Sequence, residues 1–313
     1  MFQYVHEAAQ SSGRRGRLFR KIRFWILHFY DPVVHYVFNG KKLVIPFSHD
    51  LPFTRREYPT YSANLSRLAS FLRQGKGSLR MVDVGANIGD SHALAGSGHG
   101  DKFLLIEGDD RYLEILKSNT QEDPGVTRVR TLLSDKAVEG SVRFVSEGGT
   151  SRVERTSGQT PNGPAYQTLD QVLASYPDFL TMNLLKCDVD GYDSRVLVGA
   201  QEVIKAAKPV LFFEHHPHLL ALAGDDDTYI FERLHSWGYS TLLFYDIKGF
   251  LLGPVDSADR PLIKDLILYA KSKEVLCYDV CCFHDTDATL RDEFLVKERG
   301  FYSDLIAARY AKG

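Results

Sequence analysis

The chain has 313 residues, of which 44% are hydrophobic and 25% are charged. This composition excludes a disordered chain, and the length is enough for one large α/β domain with an added segment or for two domains. The net charge is −2, but residues 1–56 hold ten Lys and Arg against three Asp and Glu. An acidic body with a basic arm does not favour a nucleic-acid enzyme, whereas the arm suits an anionic partner.

Residues 1–75 are predicted to form an extension made of helices and a hairpin. A helix is expected over residues 15–30, and the run 36–46 predicts a hairpin with Asn39-Gly40 in its turn. Apolar residues at helical spacing predict a further helix over residues 64–73.

The basic part of this extension leads directly into aromatic residues. Its five cations are Arg14, Arg15, Arg17, Arg20 and Lys21. Phe24, Trp25 and Phe29 follow them, and Arg23 and Asp31 interrupt the apolar run, so the segment is not expected to span a bilayer. We predict an amphipathic helix that packs on the domain with its charges solvated. The alternative is peripheral contact with an anionic membrane surface.

Strands and helices alternate in a predicted second domain, residues 76–313. Apolar runs predict core strands over 81–84, 103–107, 127–132, 183–188, 209–214 and 240–245. Helices are predicted near 88–95, 110–119, 167–176, 194–207 and 227–237. This alternation indicates an α/β fold with a mostly parallel sheet that is covered by helices on both faces. Beyond residue 245, helices are predicted over 261–272 and 287–311, and a strand near 274–283 fits an antiparallel last strand.

The four cysteines indicate a reducing compartment. They are Cys187, Cys277, Cys281 and Cys282, and no two of them form a C-x-x-C pair. We therefore expect buried thiols rather than disulfides or a structural zinc site. No apolar stretch typical of a signal peptide follows the basic cluster. The predicted location is cytoplasmic, with membrane association as the alternative that the basic segment opens.

The stretch 82–89 carries the first ligand signal. Asp83 lies in an apolar strand that ends at Gly85, and a helix begins after Gly89. A strand, turn and helix in this order bring backbone amides close to a nucleotide-like ligand. Asn87 stands where a dinucleotide fingerprint requires its second glycine. A carboxylate before the turn repels a pyrophosphate but suits an ammonium group. The spacing therefore favours S-adenosylmethionine over NAD. The residues predicted to hold it are Asp83, Gly85, Asn87 and Gly89.

Two further strand ends are predicted to contact the same ligand. Glu107 ends the second core strand, about twenty residues after the turn, where a carboxylate can accept hydrogen bonds from both ribose hydroxyls. Ser134 and Asp135 follow the third core strand and are placed for an adenine contact. A capping or turn role for these two residues is the alternative.

Three carboxylates, Asp188, Asp190 and Asp193, follow the fourth core strand. Acids clustered at the carboxyl edge of a sheet are costly unless they hold something positive or do acid–base work. Asp188 is therefore predicted to contact the cofactor and to serve as a base. A divalent metal held by Asp188 and Asp190 and helix capping by Asp190 or Asp193 are the alternatives, and no metal ligand is assigned.

The fifth core strand ends in Glu214, His215 and His216. An acid and two histidines at a strand end are candidates for a general base. We place His215 and Asp188 first, with His216 and Glu214 behind them. A structural histidine at either position is the alternative.

Together these motifs resemble the FkbM family of S-adenosylmethionine-dependent methyltransferases. The resemblance is carried by the glycine turn 82–89, the acid-ended strand 103–107, the block 186–193 that resembles K-x-D-x-E-G-x-E, and the pair Gly199-Ala200. Aspartates replace both family glutamates of the block. The resemblance covers roughly residues 80–245. It implies a class I methyltransferase (Rossmann-like) fold and methyl transfer to a hydroxyl, often on a sugar or on a glycosylated or polyketide natural product.

The predicted function is therefore O-methylation of a hydroxyl on a sugar, glycan or glycosylated natural product. The sulfonium already activates the methyl group, so positioning supplies most of the rate while a base removes the hydroxyl proton. Three alternatives stay open. They are an NAD-linked oxidoreductase, a non-catalytic member of the fold in a glycan-assembly complex, and methyl transfer to nitrogen.

Overall fold

A computed structural model describes residues 1–137, 166–273 and 277–311, together with the backbone of 142–147 and 150–155. Its helices are α1 (Phe2–Ala9), α2 (Gly13–Leu27), α3 (Leu51–Glu57), α4 (Ala63–Lys76), α5 (Asp90–Ala95), α6 (Asp110–Thr120), α7 (Leu169–Leu173), α8 (Asp193–Val198), α9 (Gln201–Ala207), α10 (Pro217–Ala223), α11 (Tyr229–Ser236), α12 (Arg260–Lys271) and α13 (Ala288–Tyr310). Its strands are β1 (Val33–Phe38), β2 (Lys41–Pro46), β3 (Arg80–Val84), β4 (Lys102–Glu107), β5 (Val126–Arg130), β6 (Leu132–Leu133), β7 (Val142–Glu147), β8 (Thr150–Arg155), β9 (Tyr166–Gln167), β10 (Leu184–Cys187), β11 (Val210–His215), β12 (Thr241–Asp246), β13 (Leu251–Asp256) and β14 (Tyr278–Cys282).

Within the described ranges the main sheet has eight strands in the order β13-β12-β14-β11-β10-β3-β4-β5. The strands β3, β4, β5, β10 and β11 are mutually parallel, and β14 runs antiparallel between β11 and β12. The mostly parallel sheet with an antiparallel last strand is therefore confirmed. The outermost strand, β13, is also antiparallel to its neighbour. The six predicted core strands coincide with β3, β4, β5, β10, β11 and β12.

Alternate residues of the central strands feed two hydrophobic layers. Phe103 of β4 belongs to the layer that also contains Leu43 and Ile45 of the β1–β2 hairpin, whereas Leu104 belongs to the opposite layer. The strands are apolar on both faces because each face is covered. The extension thus packs on one side of the sheet, and the predicted domain boundary at residue 75 falls at the end of α4 and stays a prediction. All four cysteines are buried.

Three helices, α1, α3 and α10, were not predicted, and the helix predicted over 194–207 is divided into α8 and α9. A Cβ at Gly199 would lie 2.1 Å from the carbonyl oxygen of Ser134, so this glycine lets the two chain segments touch. The carboxylate of Asp170 accepts hydrogen bonds from the backbone amides of Glu202 and Val203 at 3.1 and 3.0 Å. A side chain of α7 therefore caps the first turn of α9, which sequence spacing does not reveal.

The helix predicted over residues 15–30 is found as α2. Its inner residues Phe19, Ile22 and Ile26 pack against the hydrophobic layer that contains the hairpin. No helix in the described part of the chain is long and apolar enough to cross a membrane.

Candidate active site

A cavity that opens to solvent lies at the carboxyl ends of β3, β4 and β10. Ligands of open α/β sheets bind at this edge, where loops from neighbouring strands meet. The residues that line the cavity are Val84, Gly85, Asn87, Ile106, Glu107, Gly108, Tyr112, Thr131, Leu132, Leu133, Tyr166, Asp188, Val189, Asp190 and Tyr192. Four of the predicted ligand contacts are among them, namely Gly85, Asn87, Glu107 and Asp188.

The glycine turn lies directly against the turn that follows β10. The backbone amides of Gly85 and Ala86 both donate to the carbonyl oxygen of Ile106 at 3.0 Å. Gly85 has φ of 76°, and a Cβ there would lie 1.9 Å from the carbonyl oxygen of Asp188. A side chain at this position is therefore excluded both by the left-handed backbone and by the close approach of the second loop.

Glu107 holds the turn that carries Asn87. Its Oε2 accepts a hydrogen bond from the backbone N–H of Asn87, and its Oε1 accepts one from the backbone N–H of Asp109, both at 2.8 Å. Burial raises the pKa of Glu107 to about 7, and these two hydrogen bonds oppose that rise. Each carboxylate oxygen has two lone pairs, so both oxygens can also accept a hydrogen bond from a hydroxyl group in the cavity.

The other predicted cofactor residues of these strands do not line the cavity. Gly89 is the N-cap residue of α5, with φ of 86°, and it faces Leu116 and Thr120 of α6. Ser134 is buried, and its hydroxyl donates to Asp135 at 3.0 Å. The wall is instead formed by residues 131–133, because β5 ends at Arg130 and the chain enters the cavity sooner than the spacing indicates. The adenine contact stays a prediction.

Asp83 lies beneath the turn in a buried ion pair with Lys186. The Lys186 Nζ is 3.2 Å from Asp83 Oδ1 and 3.4 Å from Asp188 Oδ2, and it donates to the carbonyl oxygen of Gly85 at 3.3 Å. Burial lowers the pKa of Lys186, but Asp83, Asp188 and Asp90 outweigh it and hold the pKa well above its ordinary value. Burial raises the pKa of Asp83 to about 6 against the pull of Lys186. This lysine, which the sequence reasoning did not assign to the site, joins the turns that follow β3 and β10.

Asp193 shapes the turn that follows β10. Its carboxylate accepts hydrogen bonds from the backbone amides of Val189 and Gly191, each at 3.2 Å. Burial raises the pKa of Asp193 to about 7, with Asp188 adding to the rise. Asp193 therefore holds the turn before α8 and makes no capping hydrogen bond to that helix, whereas Asp190, with φ of 50°, lines the cavity.

Further carboxyl groups lie beyond Asp188, on β11 and β14. Glu214 and Asp279 are paired residues of these two strands. Burial raises the pKa of Glu214 well above its usual range, and Asp188, Asp193 and Asp190 add to this. Burial likewise raises the pKa of Asp279 to about 7.

Two residues of the extension lie against the acidic region, which we define by Asp188, Glu214 and Asp279. The Asn64 amide donates to Asp279 at 2.8 Å. The pKa of Tyr61 is raised well above its ordinary value, first by burial and then by carboxylates that include Asp188 and Glu214. Sequence reasoning missed both residues because they lie more than 100 positions before the acids that they face. The helical spacing over 64–73 gave the only local signal there.

His215 lies on the opposite face of β11 from Glu214, because successive strand residues point to opposite faces. It is 1% exposed and its ring packs 4.8 Å from that of Phe231. Burial lowers the pKa of His215 to about 3. The structure therefore does not bring this residue, the first candidate base, to the acidic region.

His216 is the N-cap residue of α10, and its Nδ1 accepts a hydrogen bond from the backbone N–H of Leu219 at 3.5 Å. Burial lowers the pKa of His216, and the carboxylate of Asp188 opposes this. It is thus nearer to the acidic region than His215, with a capping role of its own. Among the residues that the structure describes, no cluster of His, Cys, Asp or Glu is arranged to hold a metal ion.

The strand order of the main sheet and the position of the cavity are those of a class I, Rossmann-like methyltransferase fold. The family model described as the methyltransferase FkbM domain matches residues 83–241, about half of the chain. The chain therefore belongs to the FkbM methyltransferase family. This confirms the family that the sequence motifs resemble. No curated protein sequence matches the chain.

Solved structures of methyltransferases are similar to the chain at low identity. The FkbM methyltransferase from Methylobacillus flagellatus is 18% identical with a TM-score of 0.35, and the match covers 74% of this chain and 51% of that one. An O-methyltransferase from Bacillus cereus in complex with SAH is 11% identical with a TM-score of 0.39, over 71% of this chain and 81% of that one. A SAM-dependent methyltransferase from Aquifex aeolicus is 11% identical with a TM-score of 0.38, over 74% and 93%. The chain thus spans about half the length of the first of these.

Proposed function

We propose that this chain transfers a methyl group from S-adenosylmethionine to a hydroxyl of a carbohydrate or a glycosylated small molecule. The observation that carries the proposal is the pair of carboxyl groups of Asp188 and Glu214 beside the cavity. A hydroxyl must lose its proton as it attacks, so its methylation needs a nearby base. A carboxylate with a raised pKa, such as that of Glu214, accepts a proton more readily than an ordinary carboxylate does.

The residues of the cavity fit the cofactor. Gly85 allows close approach of the turn, and each oxygen of Glu107 has a lone pair for a ribose hydroxyl. Asp188 and Asp190 give the wall the negative charge that suits an ammonium and a sulfonium group. S-adenosylmethionine supplies a methyl group that its sulfonium already activates, so the residues of the chain have to bind, orient and deprotonate the acceptor.

The acidic region suits an acceptor with several hydroxyls. Carboxylates accept hydrogen bonds from such groups, and Asn64 adds an amide to the same region. Tyr61 contributes an aromatic ring beside them. The same excess of carboxyl groups also suits an amine, so methyl transfer to nitrogen is the second candidate, and product analysis separates the two.

Replacing Glu214 with glutamine is expected to lower kcat by about 100-fold, because general bases contribute 10² to 10⁴. KM for S-adenosylmethionine should change little, since Glu214 is not part of the cavity wall. The wild-type kcat should rise with pH as the base ionises, and this limb should vanish in the variant. Glu202→Gln, an exposed change on α9, is the control. Wild-type kcat and an unchanged pH profile in Glu214→Gln would exclude this base.

The affinity for S-adenosylmethionine is expected to rise with pH through the pKa of Glu107, about 7. The ribose hydroxyls donate to the ionised carboxylate, so proton loss favours binding, and affinity should increase about tenfold from pH 6 to pH 8. Calorimetry on Glu107→Gln should give a flatter curve, while the other titrating acids stay the same in both proteins. Parallel curves would show that Glu107 does not contact the ribose.

The acceptor class is tested by incubation with labelled S-adenosylmethionine and fractionated glycans, lipids and small metabolites from the source cells. We expect label in a carbohydrate-containing fraction, as an ether stable to mild base. Calorimetry with S-adenosylmethionine and with NAD separates the oxidoreductase alternative. Cofactor binding without labelling of any fraction would instead support the non-catalytic alternative, and an N-methyl product would overturn the hydroxyl acceptor.

A further inference from the structure

The outer face of α2 combines cations with exposed aromatic residues. We define the α2 face by Arg14, Arg17, Leu18, Lys21, Phe24 and Trp25, which recur at the three- and four-residue spacing of one helical face. We propose that the α2 face docks on an anionic membrane surface, and this inference does not depend on which acceptor is methylated.

The aromatic side chains of this surface are exposed to solvent for most of their area. Phe24 is 74% exposed, Trp25 is 69% exposed and Phe29, just after the helix, is 75% exposed. The ring centroids of Trp25 and Phe29 are 6.0 Å apart, so these two rings form one patch. Single exposed apolar residues are normal, but a patch of large rings beside cations indicates an interaction site.

The cations of α2 are divided between two tasks. Arg23 faces the protein, where it donates to the carbonyl oxygens of Phe47 and Ser48 at 3.0 and 2.6 Å. In contrast, Arg14, Arg17 and Lys21 are exposed, with no ion-pair partner in the described part of the chain. The inward arginine fixes the helix in place, so the outward cations and rings are held toward solvent together.

This arrangement favours a lipid surface over a second copy of the chain. A symmetric dimer would bury the cations of two α2 faces in one interface, and neither face holds a carboxylate to pair with them. A helix lying in a bilayer interface instead buries Trp, Phe and Leu among the headgroups while Lys and Arg meet anionic lipid. The basic arm and the acidic remainder of the chain also orient the molecule, with the arm toward the lipid.

The chain segment that follows α2 contacts a helix at the cavity edge of the sheet. Asp31, two residues after Phe29, forms an ion pair with Arg111. Arg111 belongs to the first turn of α6, and the next residue, Tyr112, lines the cavity. The C-terminal end of α2 is therefore followed by a segment that contacts α6, the helix that contributes Tyr112 to the cavity wall.

The test uses vesicles of phosphatidylcholine alone and vesicles that contain 30% phosphatidylglycerol, with the full chain. We expect co-sedimentation with the anionic vesicles only, weakened by added salt. The chain has two tryptophans, of which Trp237 is buried with 6% exposure. A blue shift of tryptophan fluorescence on vesicle addition should therefore persist in Trp237→Phe and disappear in Trp25→Phe.

Two variants separate charge from apolar contact. The triple change Arg14→Gln, Arg17→Gln and Lys21→Gln should lower partitioning onto the vesicles by about 100-fold. Each of the three cations contributes a similar factor to the affinity for an anionic surface, and these factors multiply. Phe24→Ala with Trp25→Ala should lower it at least tenfold. The control for the charge change is the triple variant Lys205→Gln, Lys264→Gln and Lys273→Gln on other surfaces. The control for the apolar change is Leu268→Ala with Tyr269→Ala. Both controls should bind as the wild type does.

Three outcomes would overturn the proposal. They are equal binding to both vesicle types, wild-type binding by both α2 variants, and a concentration-dependent dimer that Trp25→Ala dissociates, which would assign the face to a second copy. Circular dichroism shows whether each variant is folded. If a multiple variant does not fold, the single change Trp25→Phe, with its fluorescence signature, decides the question.

Discussion

Replacing Gly85 with alanine is expected to weaken S-adenosylmethionine binding by about 100-fold or more. The new Cβ would stand 1.9 Å from the carbonyl oxygen of Asp188, and the residue keeps a φ of 76° that alanine adopts at a cost of about 1–2 kcal/mol. One of the two loops must therefore move, and both loops line the cavity. Displacements of about 1 Å at a binding site cost on the order of 10²-fold. Isothermal titration calorimetry measures the change directly.

Gly77→Ala is the matched control for the backbone strain. Gly77 has φ of 79°, close to that of Gly85, but nothing lies within 4 Å of a Cβ there. It ends α4, away from the cavity wall. We expect it to lose stability in thermal unfolding while keeping its affinity for the cofactor. Equal losses of affinity in the two variants would assign the effect to general destabilisation rather than to contact between the two loops.

The parts of the site that the sequence predicted are those that one strand and its following turn determine. Gly85, Asn87 and Glu107 occupy their expected places because a strand of fixed length delivers its last residue to the sheet edge. His215 illustrates the limit of this reasoning. A shift of one residue along a strand exchanges its faces, so Glu214, and not His215, reaches the acidic region.

The parts that were not predicted depend on contacts between distant segments. Tyr61 and Asn64 lie in the extension, and only the packing of α4 on the sheet brings them to β11 and β14. Lys186 stood in a recognised motif, but its pairing with Asp83 and its hydrogen bond to the glycine turn require two separate strands, β3 and β10, in register. Such tertiary placement leaves no periodic pattern in the sequence.

The largest loss of stability is expected for Lys186→Met. Its side chain is 5% exposed and that of Asp83 is 0% exposed, so the change leaves a buried carboxylate without its cation. Removing one partner of a buried pair typically costs about 3–5 kcal/mol. Urea unfolding of the variant against the wild type measures this difference. Lys205→Met is the control, because Lys205 is an exposed lysine whose Nζ lies 3.6 Å from Glu202, and it should change stability by less than about 1 kcal/mol.

The deficit of Lys186→Met should depend on pH in a defined direction. The pKa of Asp83 is already raised to about 6 in the presence of Lys186, and it should rise further without the lysine. A carboxyl group whose pKa is higher in the folded than in the unfolded protein binds a proton on folding. Its contribution to the stability of the folded protein is therefore present at low pH and is lost as pH rises through the folded pKa. The deficit should therefore be small at pH 5 and full at pH 8.

Adding Asp83→Asn to Lys186→Met should recover at least half of the lost stability and remove this pH dependence. The double variant has no buried charge left without a partner, and an asparagine keeps the shape of the aspartate. A double variant no more stable than Lys186→Met at pH 8 would show that the cost arises elsewhere, for instance from the hydrogen bond that Lys186 donates to Gly85. In that case cofactor affinity should fall together with stability, because the glycine turn would have lost its support.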